Sequence, residues 1–134
     1  MRRAAFLLLG LAACGTPTEP VRPLLAFSST IIFGIPTIAT RVQAHPDGIK
    51  VSGVISTPSA EYTLFGKVTA DGSKLRLEIN VYNNRQGAPF RVQNYYEGII
   101  SNLAPGDYDL LVIHTLHYDT TTSEQAFHQA IHIP

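Results

Sequence analysis

The stretch that decides the fold is Leu103-Ala-Pro-Gly-Asp-Tyr-Asp-Leu-Leu-Val-Ile-His-Thr-Leu-His-Tyr118. Pro105 pre-sets a backbone φ angle suited to a turn, and Gly106 after it tolerates the positive φ that other residues resist. The long apolar, β-branched run that follows is typical of a strand, in which alternate side chains share a face. One face comprises Tyr108, Leu110, Val112, His114 and Leu116. Because both faces carry large apolar residues, we predict an interior strand covered on both sides.

The pattern Leu-x-Pro-Gly-x-Tyr-x-Leu-x-Val, from Leu103 to Val112, resembles the tyrosine corner of immunoglobulin-like and fibronectin type III sandwiches. The resemblance implies that Tyr108 points inward and that its hydroxyl bonds to the backbone near Leu103. It concerns architecture alone, because such sandwiches carry many unrelated functions. An ordinary Pro-Gly turn before a strand is the alternative interpretation.

Short strands separated by turns extend through the rest of the chain. Hairpin turns are predicted at 45–48 and 70–73, and strands at 24–33, 37–44, 49–57, 61–69, 74–82, 90–100 and 125–133, with a loop over 119–124. Strand 74–82 alternates most regularly, with Leu75, Leu77, Ile79 and Val81 on its inner face. We therefore predict an all-β, immunoglobulin-like sandwich of seven to eight antiparallel strands over residues 24–134.

The N-terminus has the features of an export signal. Met1-Arg2-Arg3 is positively charged, and the apolar run from Ala4 to Leu11 is too short to span a bilayer. Leu11-Ala12-Ala13-Cys14 resembles the bacterial lipobox, which implies cleavage after residue 13 and a diacylglyceryl group on Cys14. A plain secretory leader with an incidental cysteine is the alternative. Gly15 after the cysteine is compatible with sorting to the outer membrane.

A proline-rich segment separates the lipobox from the predicted domain. Pro17, Pro20 and Pro23 recur at every third position, a spacing that favours an extended polyproline II spacer. We thus predict a signal peptide over 1–13, a lipidated tether over 14–23 and the sandwich beyond it. The membrane is the first expected partner, through the lipid on Cys14.

Composition and motifs argue against several classes of function. The formal net charge is zero and no basic cluster occurs, which argues against nucleic-acid binding. No Gly-x-Ser-x-Gly elbow or glycine-rich phosphate loop is present, and the single cysteine is assigned to the lipid. We therefore expect a non-enzymatic protein with no catalytic residues and no cofactor.

Histidines near the C-terminus are weak candidates for a metal site. The predicted final hairpin makes His117 and His128 diagonal neighbours at roughly 7–8 Å between Cα atoms. Asp119 is the only third ligand that this arrangement offers, and a tight zinc site needs three or four. We therefore expect no tight metal site, and keep a small metal-binding envelope protein as an alternative function.

Tyrosines supply a candidate ligand surface. Tyr82, Tyr95 and Tyr96 lie on predicted strands, and exposed tyrosines are common in protein-binding and sugar-binding surfaces. Neighbours in a strand face opposite ways, so one of Tyr95 and Tyr96 faces the core. The sequence therefore favours a lipid-anchored envelope module that binds a protein or glycan partner. A purely structural lipoprotein is a further alternative.

Overall fold

Eight strands form the protein in the computed structural model, which describes residues 22–34, 38–83 and 90–134. They are β1 (Leu24–Ile32), β2 (Arg41–His45), β3 (Gly48–Thr57), β4 (Tyr62–Asp71), β5 (Lys74–Asn83), β6 (Val92–Ser101), β7 (Gly106–His117) and β8 (Thr121–Ile133). They make two four-stranded sheets, sheet A in the order β1-β6-β3-β2 and sheet B in the order β4-β5-β7-β8. The predicted all-β sandwich is confirmed.

One pair of strands departs from the predicted antiparallel arrangement. In sheet B, β5 and β7 are parallel neighbours, with Leu77 opposite Val112. The reason is that β6, which lies between them in sequence, belongs to sheet A. The chain leaves sheet B after β5 and returns through the corner, so that β7 runs in the same direction as β5.

The last strand begins earlier than the sequence indicates. Residues 119–124 were predicted to be a loop, but β8 starts at Thr121 and pairs it with His117. Residues 121–124 are exposed on both faces of this edge strand, so they show no apolar alternation. A bulge then shifts the register between Val112 and Ile113. The second strand is also shorter than predicted, because Ile38 to Thr40 lie outside it.

The tyrosine corner is present. The Tyr108 hydroxyl donates a hydrogen bond of 2.7 Å to the carbonyl oxygen of Ala104, one residue beyond Leu103. Gly106 has a φ of 143°, in the region that favours glycine. Tyr108 is half-buried and packs against the core from its rim. The corner thus joins the end of β6 in sheet A to the start of β7 in sheet B.

The core lies between the two sheets and is built from the inward faces of the middle strands. The four inner residues predicted for β5 are all buried, as are Leu110 and Val112 of β7. They meet sheet A residues from β3 and β6, namely Ile49, Val51, Ile55, Tyr96 and Ile100. Alternation along each strand therefore sets which side chains the sandwich encloses.

The two long sides of the sandwich differ. On one side, β1 lies against β4, and Leu25 and Phe27 pack so closely over Gly66 that a Cβ there would lie 2.6 Å from the Phe27 ring. On the other side, a cleft of about 440 Å³ separates β2 from β8. Its apolar lining includes Val42, Ile49, Leu103, Phe127, Ile131 and Ile133. The side chains of the two sheets therefore meet along one side and leave a groove along the other.

The leader over 1–13, Cys14 and most of the tether over 14–23 lie outside the described residues. Arg22 is described, and its carbonyl oxygen accepts a 2.9 Å hydrogen bond from the Asn102 side chain. This contact places the entry to β1 beside the end of β6. The described ranges contain no helix long and apolar enough to cross a membrane.

Candidate functional site

Three rings form a row across the outer face of sheet B. Tyr82 and His117 are stacked, with ring centroids 4.2 Å apart and an interplanar angle of 4°. Phe65 meets Tyr82 edge-on, with centroids 5.9 Å apart. Phe65 is 52% exposed and Tyr82 is 40% exposed. We call Phe65, Tyr82 and His117 the aromatic row.

Strand pairing brings the three rings together. Alternation along β5 turns Leu77, Ile79 and Val81 inward and Tyr82 outward. The parallel register places Tyr82 directly opposite His117. On the other side of β5, Tyr82 pairs with Thr63, so Phe65 is its diagonal neighbour on β4. The row therefore depends on the parallel pair that the sequence did not indicate.

A hydrogen bond holds the imidazole of the row in place. His117 Nε2 lies 2.9 Å from Asn80 Oδ1, so this nitrogen carries the proton that the amide oxygen accepts. His117 Nδ1 lies 3.5 Å from the Thr121 hydroxyl, at the start of β8. Both ring nitrogens thus have a partner within sheet B, and the ring plane remains parallel to Tyr82.

A pocket adjoins the row at one end of the sandwich. It has a volume of about 440 Å³ and is lined by Pro58, Tyr62, Asn83, His117, Tyr118 and Asp119. Tyr62 and Tyr118 form an edge-to-face pair with centroids 5.0 Å apart. Its lining combines apolar rings with a carboxylate and an amide, and His117 belongs to both the pocket and the row. We call this the end pocket.

The other two predicted tyrosines do not join Tyr82. Tyr95 lies on the outer face of sheet A, where its hydroxyl donates a 3.0 Å hydrogen bond to Glu97 Oε1. Lys50 pairs with the same carboxylate. These hydrogen bonds, the one from Lys50 foremost, lower the pKa of Glu97. Tyr95 is therefore held in a polar cluster on the opposite face of the molecule.

Tyr96 is part of the core, and its assignment to a ligand surface was wrong. It is fully buried, and its hydroxyl lies 2.8 Å from His114 Nε2. The Thr40 hydroxyl lies 3.4 Å from the same oxygen. Burial raises the pKa of Tyr96 to about 12 and lowers the pKa of His114 to about 4. At neutral pH this is a neutral hydrogen-bonded pair between the two sheets.

The predicted pairing of His117 with His128 was also wrong. The connection between β7 and β8 spans only Tyr118, Asp119 and Thr120, so His117 pairs with Thr121 and His128 pairs with Leu111. Six residues of strand put the two histidines about 20 Å apart. Asp119 lies beside His117 in the end pocket, but His128 is too far away to share a metal with them.

Two other histidines pair with aspartates across β7 and β8. His128 Nε2 lies 2.9 Å from Asp109 Oδ1, and His132 Nδ1 lies 2.7 Å from Asp107 Oδ1. These are separate exposed pairs. Within residues 22–34, 38–83 and 90–134, no three or more His, Cys, Asp or Glu side chains are grouped so that they could hold a metal ion.

Sequence reasoning missed Phe65, Asn80 and the tyrosines of the end pocket. A usable signal was present for the first two. The predicted hairpin between strands 61–69 and 74–82 already places Phe65 on the same face as Asn80 and Tyr82, and in the structure Phe65 lies directly opposite Asn80. Tyr62 and Tyr118 carry no comparable signal, because they meet only through the packing of strand ends.

Comparison of the chain with protein-family models, with curated proteins and with solved structures finds no match. The candidate site is therefore defined by geometry: an exposed aromatic row that leads into a pocket with polar groups.

Proposed function

We propose that this protein is an exported envelope module, anchored to the bacterial cell envelope by lipid on Cys14, that binds a glycan through the aromatic row. The observation that carries the proposal is the contact of three rings, two of them partly exposed to solvent, beside a pocket lined by Asp119 and His117. We assign the protein no catalytic role. Its anchoring rests on the lipobox and the proline-rich tether described from the sequence.

The chemistry of the row favours a sugar. The C–H face of a pyranose is apolar and packs on aromatic rings, whereas its hydroxyl groups need hydrogen-bonding partners. The exposed parts of Phe65 and Tyr82 supply the aromatic surface, and the end pocket, which shares His117 with the row, supplies a carboxylate and an amide. Binding sites typically combine apolar and aromatic walls with a few placed polar groups in this way.

The distribution of charge near the row is consistent with a neutral ligand. Arg76 and Glu78 on the outer face of β5 form an ion pair of 3.3 Å. Lys67 on β4 lies opposite Glu78 in the strand register. Positive and negative groups therefore alternate beside the row, so this face has no single-sign field to select a strongly charged partner.

The experiment measures retention of the purified protein on insoluble glycans. The probes are peptidoglycan sacculi, chitin and cellulose, in co-sedimentation assays. A printed glycan array extends the test to soluble oligosaccharides. We expect one glycan class to retain the wild type, and Tyr82→Ala and Phe65→Ala to reduce its affinity at least tenfold.

A matched control distinguishes binding by the aromatic row from binding by any exposed aromatic side chain. Phe33 is 74% exposed and follows β1 of the other sheet, so Phe33→Ala should leave binding unchanged. Equal losses in Phe33→Ala and Phe65→Ala would contradict the assignment of the row. Failure of every glycan to bind, together with capture of an envelope protein that depends on Tyr82, would replace the glycan with a protein partner.

A further inference from the structure

Strand β8 leaves one of its backbone edges without a strand partner. In the described ranges it pairs only with β7, and its other edge borders the cleft that separates it from β2. From Phe127 to Ile133 its register with β7 is uninterrupted, so this part is a regular seven-residue edge. A regular edge presents N–H and C=O groups at the spacing that a further strand needs.

The four edge strands are not equally protected against such pairing. β2 has only five residues, and β4 carries Lys67 and ends at Asp71. β1 is uncharged, but it is packed against β4 on the closed side of the sandwich. β8 is the longest strand described and has no Lys, Arg, Asp, Glu or Pro from Ala126 to Ile133. Short length, charge and cover are the usual protections of an edge, and this segment lacks all of them.

We propose that two copies of this chain associate by antiparallel pairing of their β8 edges, with the two-fold axis at Ala130. This register aligns all seven residues of the regular segment. It brings Ala130 of one copy opposite Ala130 of the second copy. The axis is where two identical side chains must meet, and Ala130 has the smallest side chain of the segment.

In the same register, side chains of the second copy fill the cleft between β2 and β8. Phe127, Gln129, Ile131 and Ile133 face the inside of the sandwich and line the cleft. In the pair, Phe127 of one copy lies opposite Ile133 of the second copy, an aromatic with a β-branched residue. Apolar side chains of the second copy would thus lie over Val42 and Leu103 in the cleft. Association buries the apolar lining of both copies.

Charge on the outer face does not oppose the pairing. His128 of one copy lies opposite His132 of the second copy, and each imidazole has an aspartate partner in its own chain. Asp107 and Asp109 lie on β7, one strand away from the axis. No carboxylate of one copy is therefore placed directly opposite a carboxylate of the other.

The first test is a disulfide trap in the full-length chain, expressed with its own leader in bacteria. Directly opposite residues of an antiparallel pair have Cα atoms about 4.5 or 5.5 Å apart, which is within the range of a disulfide. We expect Ala130→Cys to give a covalent dimer after mild oxidation on non-reducing gels. Thr69→Cys, on the outer face of β4 at the opposite edge of sheet B, should stay monomeric, and the wild type controls for Cys14. Equal crosslinking of Thr69→Cys, or none of Ala130→Cys, would overturn the proposal.

The second test is a charge exchange followed by sedimentation of the purified chains. Ala130 is exposed in the single copy, so Ala130→Lys and Ala130→Glu should fold, as thermal melts will verify. We expect the wild type to sediment as a dimer, each variant alone as a monomer, and an equimolar mixture of the two as a dimer again. A monomeric wild type, or a mixture that behaves like the separate variants, would refute pairing at Ala130.

Discussion

The hydroxyl of Tyr96 and Nε2 of His114 lie 2.8 Å apart inside the sandwich, and they link sheet A to sheet B by a polar contact. Tyr96 is fully buried and His114 is 8% exposed. Water is therefore largely excluded from both groups, and the neutral form of each is favoured. This pair makes the stability of the fold sensitive to pH.

We predict that the protein loses stability as the pH falls from about 6.5 to 4. Burial lowers the pKa of His114 from 6.5 to about 4, so in this window the unfolded state binds more protons than the folded state. Above pH 6.5 the neutral imidazole makes its full contribution to the free energy of unfolding. Acidification to pH 4 lowers that free energy by up to about 3 kcal/mol. Urea unfolding at a series of pH values from 4 to 8 measures this dependence of the free energy of unfolding on pH. His114→Gln should flatten this part of the profile, and a flat wild-type profile would contradict a buried neutral imidazole.

Gly53→Ala should destabilise the protein by about 1–3 kcal/mol, the usual cost of overpacking a core. A Cβ at position 53 would lie 2.6 Å from the Tyr96 hydroxyl oxygen, which His114 holds in place. The matched control is Gly98→Ala, where the nearest atom is a Leu25 methyl at 3.3 Å. Chemical denaturation should show the larger loss for Gly53→Ala. A Gly53→Ala protein no less stable than Gly98→Ala would argue against this contact.

Tyr108→Phe tests the corner. It removes the hydrogen bond to Ala104 and should cost roughly 0.5–1.5 kcal/mol. Because Tyr108 is half-buried, we expect a value near the lower end. Urea midpoints provide the measurement, and Tyr82→Phe on the exposed outer face is the control, expected to stay near zero. A Tyr108→Phe protein as stable as that control would mean that the hydroxyl contributes nothing to the corner.

A buried network of polar side chains lies at one end of sheet A, where β3 ends and the chain leads into β4. Asn94 Nδ2 donates a hydrogen bond of 2.8 Å to Thr57 Oγ1, which donates in turn to the Ser59 carbonyl oxygen at 2.8 Å. Asn94→Ala and Thr57→Val should each cost about 1–3 kcal/mol, because each leaves a buried partner unsatisfied. A double-mutant cycle should show coupling of about 0.5–3 kcal/mol. Fully additive losses would contradict a shared network.

Cys14 is predicted to carry the lipid anchor. Intact-mass spectrometry of the protein from bacterial membranes should show an N-terminus at Cys14 with acyl chains attached. Cys14→Ala should abolish the modification and release or misprocess the protein. A soluble secreted product with an unmodified N-terminus at another residue would contradict the lipobox assignment.

Local sequence patterns were sufficient to predict the tyrosine corner and the residues on the inner face of β5. Proline, glycine and tyrosine at fixed offsets define the turn before β7, and the structure confirms the hydrogen bond of Tyr108 to the preceding backbone. Alternation from Leu75 to Val81 identifies core residues, all of them at most 1% exposed. Both features depend on residues that are close in sequence, which is why one sequence was enough to predict them.

The aromatic row depends on pairing between strands that are distant in sequence. No short sequence pattern indicates which distant strands become neighbours. Tyr82 and His117 meet only because β5 and β7 are parallel neighbours. The predicted pairing of His117 with His128 was wrong for a related reason, since it assumed a six-residue loop before the last strand. The actual connection is three residues long and moves His128 opposite Leu111. Register is set by turn length, and exposed edge strands give little periodicity from which to infer it.

The parallel pair in sheet B also has a consequence for the order of folding. The hairpins β2–β3, β4–β5 and β7–β8 join neighbours in sequence, so each can form early by local loop closure. The contact between β5 and β7 closes a much longer loop, which contains all of β6 and the corner. We therefore expect the docking of β7 on β5 to follow the hairpins, and the pairing of β1 with β6, which closes a still longer loop, to come last. In such a sequence of events the aromatic row appears only after the hairpins have formed, because it needs β5 and β7 side by side.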